Sequence, residues 1–463
     1  MGISPARRLA FDVLLRVETE AAYASELLHA RLNATGQAAV QPTDAALATE
    51  LVFGALRWQR RLDFLLDRQL RGKSPLDPEV RIALRLGAYQ LLCLTRVPAR
   101  AAVNESVDLA KAARKRSAAG LVNAVLRRLE LAQSQADLAS LLPPGLPLAE
   151  RLGITHSHPT WLVQRWLARW DESRVTALLS ADNSTPPLVG AFAYPERRET
   201  TLEAMRRAGV ECEPAPWLLH AIAITSGARH LTPFLRRGAF HLQDEASQMV
   251  AHLLGVHPGH RVLDLCAAPG GKTLALARAA SPGPPLIAAD LHLHRLRAMR
   301  RRLASAGVAG VRHLALDASQ PLPFSSRFDR ILVDAPCSGT GTLARNPEIR
   351  WRLQPRDLAA LRARQAQLLA RALERLAPGG RLVYSTCSLE PEENEEVLAA
   401  VLASRPGFRP VSGAAELGPA LRDPAGVARL FDSQGRFRTF PPDHGADGFF
   451  AVALEPDSSA GLA

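Results

Sequence analysis

The sequence Arg-Val-Leu-Asp-Leu-Cys-Ala-Ala-Pro-Gly-Gly-Lys-Thr at residues 261–273 decides the fold of this chain. It begins as a short apolar run typical of a strand, turns at Gly270 and Gly271, and continues as a helical pattern over 274–278. This order predicts the first ligand-binding edge of an open α/β sheet, where free N–H groups of the helix meet a carboxylate or phosphate. A Gly-Gly turn is also an ordinary loop, so the ligand is not identified by it. The absence of G-x-G-x-x-G and of an upstream P-loop glycine argues against NAD and ATP.

Two later stretches each place a cysteine in a loop directly after an apolar strand. They read Ile-Leu-Val-Asp-Ala-Pro-Cys-Ser-Gly-Thr-Gly at 331–341 and Leu-Val-Tyr-Ser-Thr-Cys-Ser at 382–388. Loops that follow parallel strands emerge at one edge of a sheet, so Cys337 and Cys387 are expected on the same edge as 264–273. Together the three motifs resemble the S-adenosylmethionine-dependent RNA cytosine-5 methyltransferases. The resemblance extends to the bacterial 16S ribosomal RNA enzymes whose helical domain is similar to antitermination factor NusB.

The resemblance implies transfer of a methyl group from S-adenosyl-L-methionine to carbon 5 of a specific cytosine in 16S ribosomal RNA. It assigns Cys387 as the nucleophile, Cys337 as the residue that assists its release, and Asp334 as a contact of the cytosine edge. A thiolate that adds to carbon 6 makes carbon 5 nucleophilic, which is why this chemistry needs a cysteine. Lys272 is expected to steady the site or to touch a phosphate. An ordinary lysine at a helix N-terminus is the alternative.

Acidic residues that follow three strands are the other expected cofactor contacts. By resemblance, Asp290 holds the cofactor ribose, Asp317 lies by the adenine amine, and Asp334 lies between cofactor and base. A carboxylate at such an edge can accept hydrogen bonds from two vicinal hydroxyls, whereas a helix N-cap is the alternative for each. Within the first motif the expected cofactor-binding residues are Cys266, Ala267, Ala268, Pro269, Gly270, Gly271 and Lys272. Free cysteine also serves as a buried apolar residue, which is the alternative for Cys266 and our expectation for Cys93 and Cys212.

The composition favours a globular protein with a polyanionic partner. The chain has 463 residues, 47 % of them hydrophobic, and a formal net charge of +12. Its five cysteines form no C-x-x-C pair, which argues against a disulfide framework or a zinc site and for reduced thiols. His156 and His158 have no acidic or cysteine partner nearby, so we interpret them as a helix boundary. With no membrane-spanning run or secretory signal, we expect a monomeric cytoplasmic protein without a metal or a membrane association.

The hydrophobic pattern predicts an α + α/β multidomain chain. Residues 1–140 are periodic at helical spacing and are expected to form an all-helical, NusB-like RNA-binding domain. Residues 141–155 read as a linker, and 156–238 as a small helical and α/β subdomain. Residues 239–456 are expected to form a Rossmann-like methyltransferase domain with a doubly wound, mostly parallel sheet. The strand at 188–194 departs from the family pattern, so an RNA contact there is left open.

Basic residues of the helical region are candidate phosphate contacts, with a solvated helix surface as the alternative. They are Arg57, Arg60, Arg61, Lys111, Arg114, Lys115, Arg116, Arg127 and Arg128. Arg345 and Arg350, after Cys337, are candidates for gripping the RNA backbone. A base must leave its stack to reach such a cleft, which favours 16S ribosomal RNA that is unassembled or partly assembled.

Two alternatives remain open from the sequence. One keeps the chemistry and changes the substrate to transfer RNA or to DNA. The other is a non-catalytic ribosome-assembly or antitermination factor. Two cysteines in intact motifs favour the enzyme.

Overall fold

The computed structural model describes residues 2–20, 22–32, 41–70, 75–133 and 138–457. Its α-helices are α1 (Pro5–Glu20), α2 (Ala24–Leu32), α3 (Pro42–Arg57), α4 (Gln59–Asp67), α5 (Pro78–Cys93), α6 (Ala99–Ala112), α7 (Ala119–Gln133), α8 (Leu138–Leu141), α9 (Leu148–Thr155), α10 (Thr160–Leu167), α11 (Glu172–Asn183), α12 (Arg198–Arg207), α13 (Thr232–Arg236), α14 (Glu245–Leu253), α15 (Gly271–Ala279), α16 (Leu293–Ser305), α17 (Ile349–Arg352), α18 (Pro355–Leu373), α19 (Glu395–Ser404), α20 (Ala414–Leu417) and α21 (Pro441–His444). Its strands are β1 (Leu188–Phe192), β2 (Glu211–Pro214), β3 (Ala221–Ser226), β4 (Phe240–Leu242), β5 (Val262–Leu265), β6 (Leu286–Asp290), β7 (Val311–Ala315), β8 (Phe328–Asp334), β9 (Leu376–Thr386), β10 (Phe408–Val411), β11 (Phe437–Thr439) and β12 (Phe449–Pro456).

The chain divides into two compact units. The helical unit comprises Met1–Thr185 with Leu343–Leu353, and the sheet unit comprises Pro186–Thr342 with Gln354–Ala463. Among the described helices, none combines the length and the apolar character that a membrane span requires.

The helical unit is built around α5. This helix buries side chains on nearly every face, from Val80 through Ile82 and Leu86 to Tyr89, so it occupies the centre of the bundle. Helices α1, α3, α4, α6 and α7 pack against it. The expectation of an all-helical N-terminal region is confirmed.

The stretch 141–155, expected to be a linker, contains helix α9. Pro147 stands at the N-cap of this helix, and Ala149, Leu152 and Ile154 are buried. The prolines mark where the helix begins, and its eight residues are too few to show a clear apolar period beside them. The linker expectation is therefore wrong for Leu148–Thr155.

A small antiparallel sheet opens the sheet unit. Its strand order is β2-β3-β1-β4, and its core contains Phe192, Met205 and Phe240. β1 lies between β3 and β4, with Gly190 opposite both Ile222 and Leu242.

The large sheet has eight strands, with path order β10-β12-β9-β8-β5-β6-β7 and β11 paired to β12. β5 to β9 are parallel, and β12 joins them antiparallel through β9. The doubly wound, mostly parallel sheet is confirmed. The chain leaves β5 towards β6 on one side, and β8 lies on its other side, so the strand order reverses between β5 and β8. In such sheets the crevice at the carboxyl ends beside the reversal is the ligand site.

Candidate active site

The loop between β5 and α15 is held in a conformation that most side chains would not tolerate. Cys266 has φ 63° and Gly270 has φ 96°. A Cβ at Gly270 would overlap the side chain of Met299. Thr273 Oγ1 donates to Asp264 Oδ2 at 2.6 Å, which ties the first turn of α15 to the end of β5. The backbone can therefore lie close to a ligand.

Asp264 lines a pocket at the glycine loop and gives it a hydrogen-bond acceptor that is almost completely buried. It is 1 % exposed, and burial raises the pKa of its carboxyl to about 7. Its Oδ1 has no hydrogen-bond partner within the part of the chain that the structure describes. The pocket that Asp264 lines also includes 266–272, where α15 begins and presents its N–H groups. A buried acceptor beside backbone donors suits a ligand with an ammonium and a carboxylate, as the amino-acid part of S-adenosylmethionine has.

The Asp290 and Asp317 side chains lie in different environments. Asp290 is 5 % exposed, and its two oxygens accept from the backbone N–H of Ala268 at 3.2 Å and of His292 at 2.9 Å. Asp290 therefore holds the backbone of the 266–272 loop in place. Asp317 is exposed, and its Oδ1 accepts from the backbone and the hydroxyl of Ser319, which lower its pKa. The N–H of Leu316 donates to Asp290 O, which keeps the two strand ends adjacent.

Lys272 and Asp334 form an ion pair across the point where the strand order reverses. Lys272 Nζ lies 2.8 Å from Asp334 Oδ2 and 2.9 Å from Ser247 Oγ, and the lysine side chain is 10 % exposed. Ser385 Oγ donates to Asp334 Oδ1 at 2.8 Å. Asp334 is thus oriented from both sides, and Lys272 is more than an exposed lysine at a helix N-terminus.

The two motif cysteines meet. Cys337 Sγ and Cys387 Sγ are 3.4 Å apart, and both residues are half-buried free thiols. The hydrogen bond to Cys387 and burial raise the pKa of Cys337 well above its usual value. Either sulfur can donate its S–H to the other, so the two thiols form one hydrogen-bonded pair.

A buried glutamate that the sequence analysis missed holds the two cysteine loops together. Glu393 is 0 % exposed and accepts from the N–H and hydroxyl of Ser338, from Ser388 Oγ, and from Gln365 Nε2 at 2.9 Å. Burial raises its pKa, and these hydrogen bonds oppose the rise. Glu393 stands in an acidic run that is typical of an exposed helix start. The sequence feature that could have pointed to a shared buried partner is the serine that follows each motif cysteine, Ser338 and Ser388.

Several basic residues expected to contact RNA are used inside the helical unit. Arg57 Nη2 donates to Ala344 O at 3.0 Å, and Arg60 donates to His158 O and Thr160 Oγ1. Lys115 pairs with Asp77 at 2.8 Å. The expectation of phosphate contacts is wrong for Arg57, which is 7 % exposed. Charge in the sequence does not distinguish a basic residue on the surface from one that donates hydrogen bonds to loop backbones inside the protein.

Arg350 was expected to grip RNA and is instead 0 % exposed. Its guanidinium donates to Ser157 O at 3.2 Å, Asn183 Oδ1 at 2.8 Å and Asp182 O at 3.0 Å, and burial lowers its pKa to about 10. His158 Nε2 lies 3.3 Å from Asp182 Oδ2 in the same group. We name these five residues the Arg350 cluster. The RNA-contact prediction for Arg350 is wrong, and that for Arg345 stays a prediction.

Comparison with known proteins gives three family matches, which follow one another along the chain without overlap. Residues 4–131 match the NusB family, residues 158–229 the ferredoxin-like domain of RsmF/B-like methyltransferases, and residues 251–455 the 16S rRNA methyltransferase RsmB/F family. The identity and order of the three matches confirm the resemblance.

Relatives and a solved structure match over nearly the whole length. The chain is 31 % identical to a probable ribosomal RNA small subunit methyltransferase B of Bacillus subtilis, over 97 % of this chain and 98 % of that protein. It is 36 % identical to ribosomal RNA small subunit methyltransferase B of Pseudomonas syringae, over 90 % of each. The crystal structure of PH0851 covers 98 % of this chain and 99 % of its own at a TM-score of 0.79 and 23 % identity, a likeness of fold.

These full-length matches agree with the paired thiols and the glycine pocket at one sheet edge. The chain belongs to the 16S rRNA methyltransferase RsmB/F family and is an S-adenosylmethionine-dependent RNA methyltransferase.

Proposed function

We propose that the chain methylates carbon 5 of a cytosine in 16S ribosomal RNA through a covalent adduct on Cys387. One observation carries this proposal: Cys337 and Cys387 lie 3.4 Å apart, at the sheet edge that also holds the Lys272–Asp334 pair. Methyl transfer to a nucleophilic nitrogen or oxygen needs no thiol, whereas carbon 5 of cytosine needs one added at carbon 6.

The cofactor residues fit S-adenosylmethionine. The 266–272 loop, the unpartnered Asp264 oxygen and the Asp290 carboxylate would hold it, with Asp317 beside the adenine. When bound there, S-adenosylmethionine supplies the methyl group that carbon 5 takes. Asp290 acts twice: its Oδ2 accepts from the loop N–H of Ala268 and its Oδ1 from the N–H of His292, and each oxygen keeps a second lone pair for ribose hydroxyls.

Cys387, Cys337 and Asp334 have separate roles in the reaction on the base. Cys387 thiolate forms a bond to carbon 6, and the carbon 5–carbon 6 π electrons move to carbon 5. After methylation the carbon 5 proton leaves to a base, the double bond re-forms, and the sulfur departs with the electrons of the sulfur–carbon bond. The Cys337 S–H stabilises the departing thiolate by donating to it, across the 3.4 Å that separate the two sulfurs. Asp334 accepts from the cytosine amine and is kept in place by Lys272 and Ser385.

Methyl transfer from labelled cofactor tests the substrate. We expect incorporation into an unmodified 16S ribosomal RNA transcript, at one cytosine, and none into transfer RNA. Label in transfer RNA alone would keep the chemistry and change the substrate. No label in any RNA would contradict the proposal.

Trapping on the two cysteines tests the mechanism. Cys337→Ala should accumulate a protein–RNA species that is stable in denaturing gels and depends on cofactor, because release is impaired. Cys387→Ala should form none and should not methylate. The opposite pattern would make Cys337 the nucleophile, and full activity in both variants would rule out the covalent route.

We further propose that the enzyme acts as a monomer in the cytoplasm. Its RNA substrate is not fully assembled, because the target base must be unstacked. Exposed basic residues of the helical unit, Lys111, Arg114 and Arg116, supply phosphate attraction there. Binding of the transcript should weaken steeply with salt, and a lower slope in the triple alanine variant would identify these residues. An unchanged slope would leave them a solvated surface.

A further inference from the structure

A second cavity of about 500 Å³ lies directly beside the active-site pocket in the sheet unit. Residues of β1, β4, α14 and α15 line it, and Gly271 and Lys272 line both this cavity and the active-site pocket. A volume in this range accommodates a ligand of nucleoside size. The cavity and the catalytic pocket are therefore neighbours that share one wall.

His241 offers an unused acceptor at this cavity. The residue is 7 % exposed, and its Nε2 lies 3.2 Å from Gln243 Oε1. An amide oxygen only accepts, so Nε2 carries the hydrogen and Nδ1 carries a lone pair. Nδ1 has no hydrogen-bond partner among the described residues. Burial lowers the pKa of His241 to about 4, so the ring is neutral near pH 7 and Nδ1 remains an acceptor.

Arg278 and Tyr194 offer a stacking surface and unused donors at the same cavity. The guanidinium carbon lies 4.0 Å from the centroid of the tyrosine ring. Nε and Nη2 of Arg278 are buried and have no hydrogen-bond partner in the part of the chain that is described. A flat cation–aromatic pair next to an acceptor and two donors is what stacks on and reads a nucleobase.

We propose that this cavity binds a second, unpaired nucleoside of the RNA substrate, adjacent to the methylated cytidine and carrying an N–H group for His241. The inference rests on the proposed function for the identity of the polymer. A base there stacks on the Tyr194–Arg278 pair, gives an amine hydrogen to Nδ1 of His241, and takes hydrogen bonds from Arg278 at a carbonyl oxygen or ring nitrogen.

The cavity is connected to the catalytic residues by hydrogen bonds. Beyond His241, Gln243 Nε2 donates to Ser247 Oγ at 3.0 Å, and Ser247 also accepts from Lys272 Nζ at 2.9 Å. Lys272 then pairs with Asp334. A nucleoside that contacts His241 is thus connected to Lys272 through three side chains, those of His241, Gln243 and Ser247, so binding there orders the residues that orient Asp334.

Steady-state methylation of the 16S ribosomal RNA transcript tests the proposal with variants of the full chain. His241→Phe removes the acceptor and Arg278→Met removes the donors, and each should raise KM for RNA at least fivefold. The dissociation constant for S-adenosylmethionine should stay within twofold. Arg207→Met is the matched control because its side chain is 74 % exposed on α12. His241→Gln, which keeps an acceptor, should recover part of the loss.

Ultraviolet cross-linking of the wild-type protein to the same transcript gives a readout that needs no variant to fold. Mass spectrometry should find a nucleotide on a peptide containing Tyr194 or His241. Unchanged KM in both variants, no such adduct, or a changed cofactor affinity with unchanged KM for RNA would overturn the proposal. An adduct in a protein that does not methylate cytosine would keep the cavity and reject the proposed function. If the wild type methylates cytosine, no adduct forms and KM is unchanged in the variants, the proposed function stands and the cavity is not a nucleoside site.

Discussion

Glu393, Ser338, Ser388, Gln365 and the two motif cysteines form a cluster in the sheet unit, the Glu393 cluster. This cluster and the Arg350 cluster of the helical unit each bury an ionisable side chain completely, and they have different roles. Glu393 and Arg350 are each 0 % exposed and hydrogen-bonded several times. Beside Glu393 lie two half-buried thiols. In the Arg350 cluster, His158 and Asp182 are 0 % and 1 % exposed, so its ionisable side chains stay in the interior.

The difference teaches that a buried ionic group does not by itself mark a site. A site also needs a reactive or unsatisfied atom at its surface, as Cys387 provides in one cluster. The Arg350 cluster joins Ser157, Asn183 and the 343–353 segment of the helical unit. Removing a residue from each cluster should therefore separate activity from stability.

The largest effect is expected for Cys387→Ala. Loss of the nucleophile should lower methylation at least roughly a thousand-fold, about 4 kcal/mol of transition-state stabilisation, with an unfolding free energy close to wild type. Cys212→Ala, which removes a thiol from β2, is the control and should keep its activity. Residual activity within tenfold of wild type would place the nucleophile elsewhere.

Arg350→Met should show the opposite pattern. Removing the guanidinium leaves the backbone oxygens of Ser157 and Asp182 and the side-chain oxygen of Asn183 buried without their donor, which costs about 1–3 kcal/mol for each group. Urea unfolding, with hydrogen exchange in α10 and α11 as the local readout, measures this loss. Exposed Arg116→Met should stay within about 0.5 kcal/mol of wild type. A loss below about 1 kcal/mol for Arg350→Met would show that the cluster is not structural.

Asp290→Asn tests the cofactor side of the sheet unit. The amide keeps one acceptor for the loop backbone and weakens the bonds to ribose, so cofactor affinity should fall by about 1.5–3 kcal/mol in calorimetry. Asp317→Asn, at an exposed carboxylate engaged by Ser319, should cost less. Equal losses for the two variants would mean that burial at Asp290 plays no special part in ribose binding.

The smallest effect concerns pH and the Arg350 cluster. Burial raises the pKa of Asp182 from 3.8 to about 7, so the folded state keeps a proton that the unfolded chain releases. This stability is present at pH 4 and is lost as pH rises towards 7. Asp182→Asn removes the titration, so wild type should lose about 1–2 kcal/mol relative to the variant between pH 5 and 7. Parallel stability–pH curves would contradict the raised pKa.

Much of the fold follows from local patterns. The strands before the three motif loops, β5, β8 and β9, lie where the apolar runs predicted them, because a short apolar run that ends in a turn is a local signal. Helix α9 was missed, since it is short and follows prolines. The site was found in part: Lys272, Asp334, Cys337 and Cys387 come together, whereas Glu393 was missed because it stands in an acidic run far from Ser338 in the sequence.

The sequence by itself determined the type of sheet, the edge where its loops meet and the two thiols on that edge, because these depend on local order and on the rule that parallel strands end together. Only the tertiary structure decided how each charge is used. Whether a side chain is buried, and what it meets, depends on residues distant in sequence: Arg350 on residues 157–183, Glu393 on Ser338, and His241 on its cavity. The residue type is the same whether an arginine binds RNA or holds the interior together.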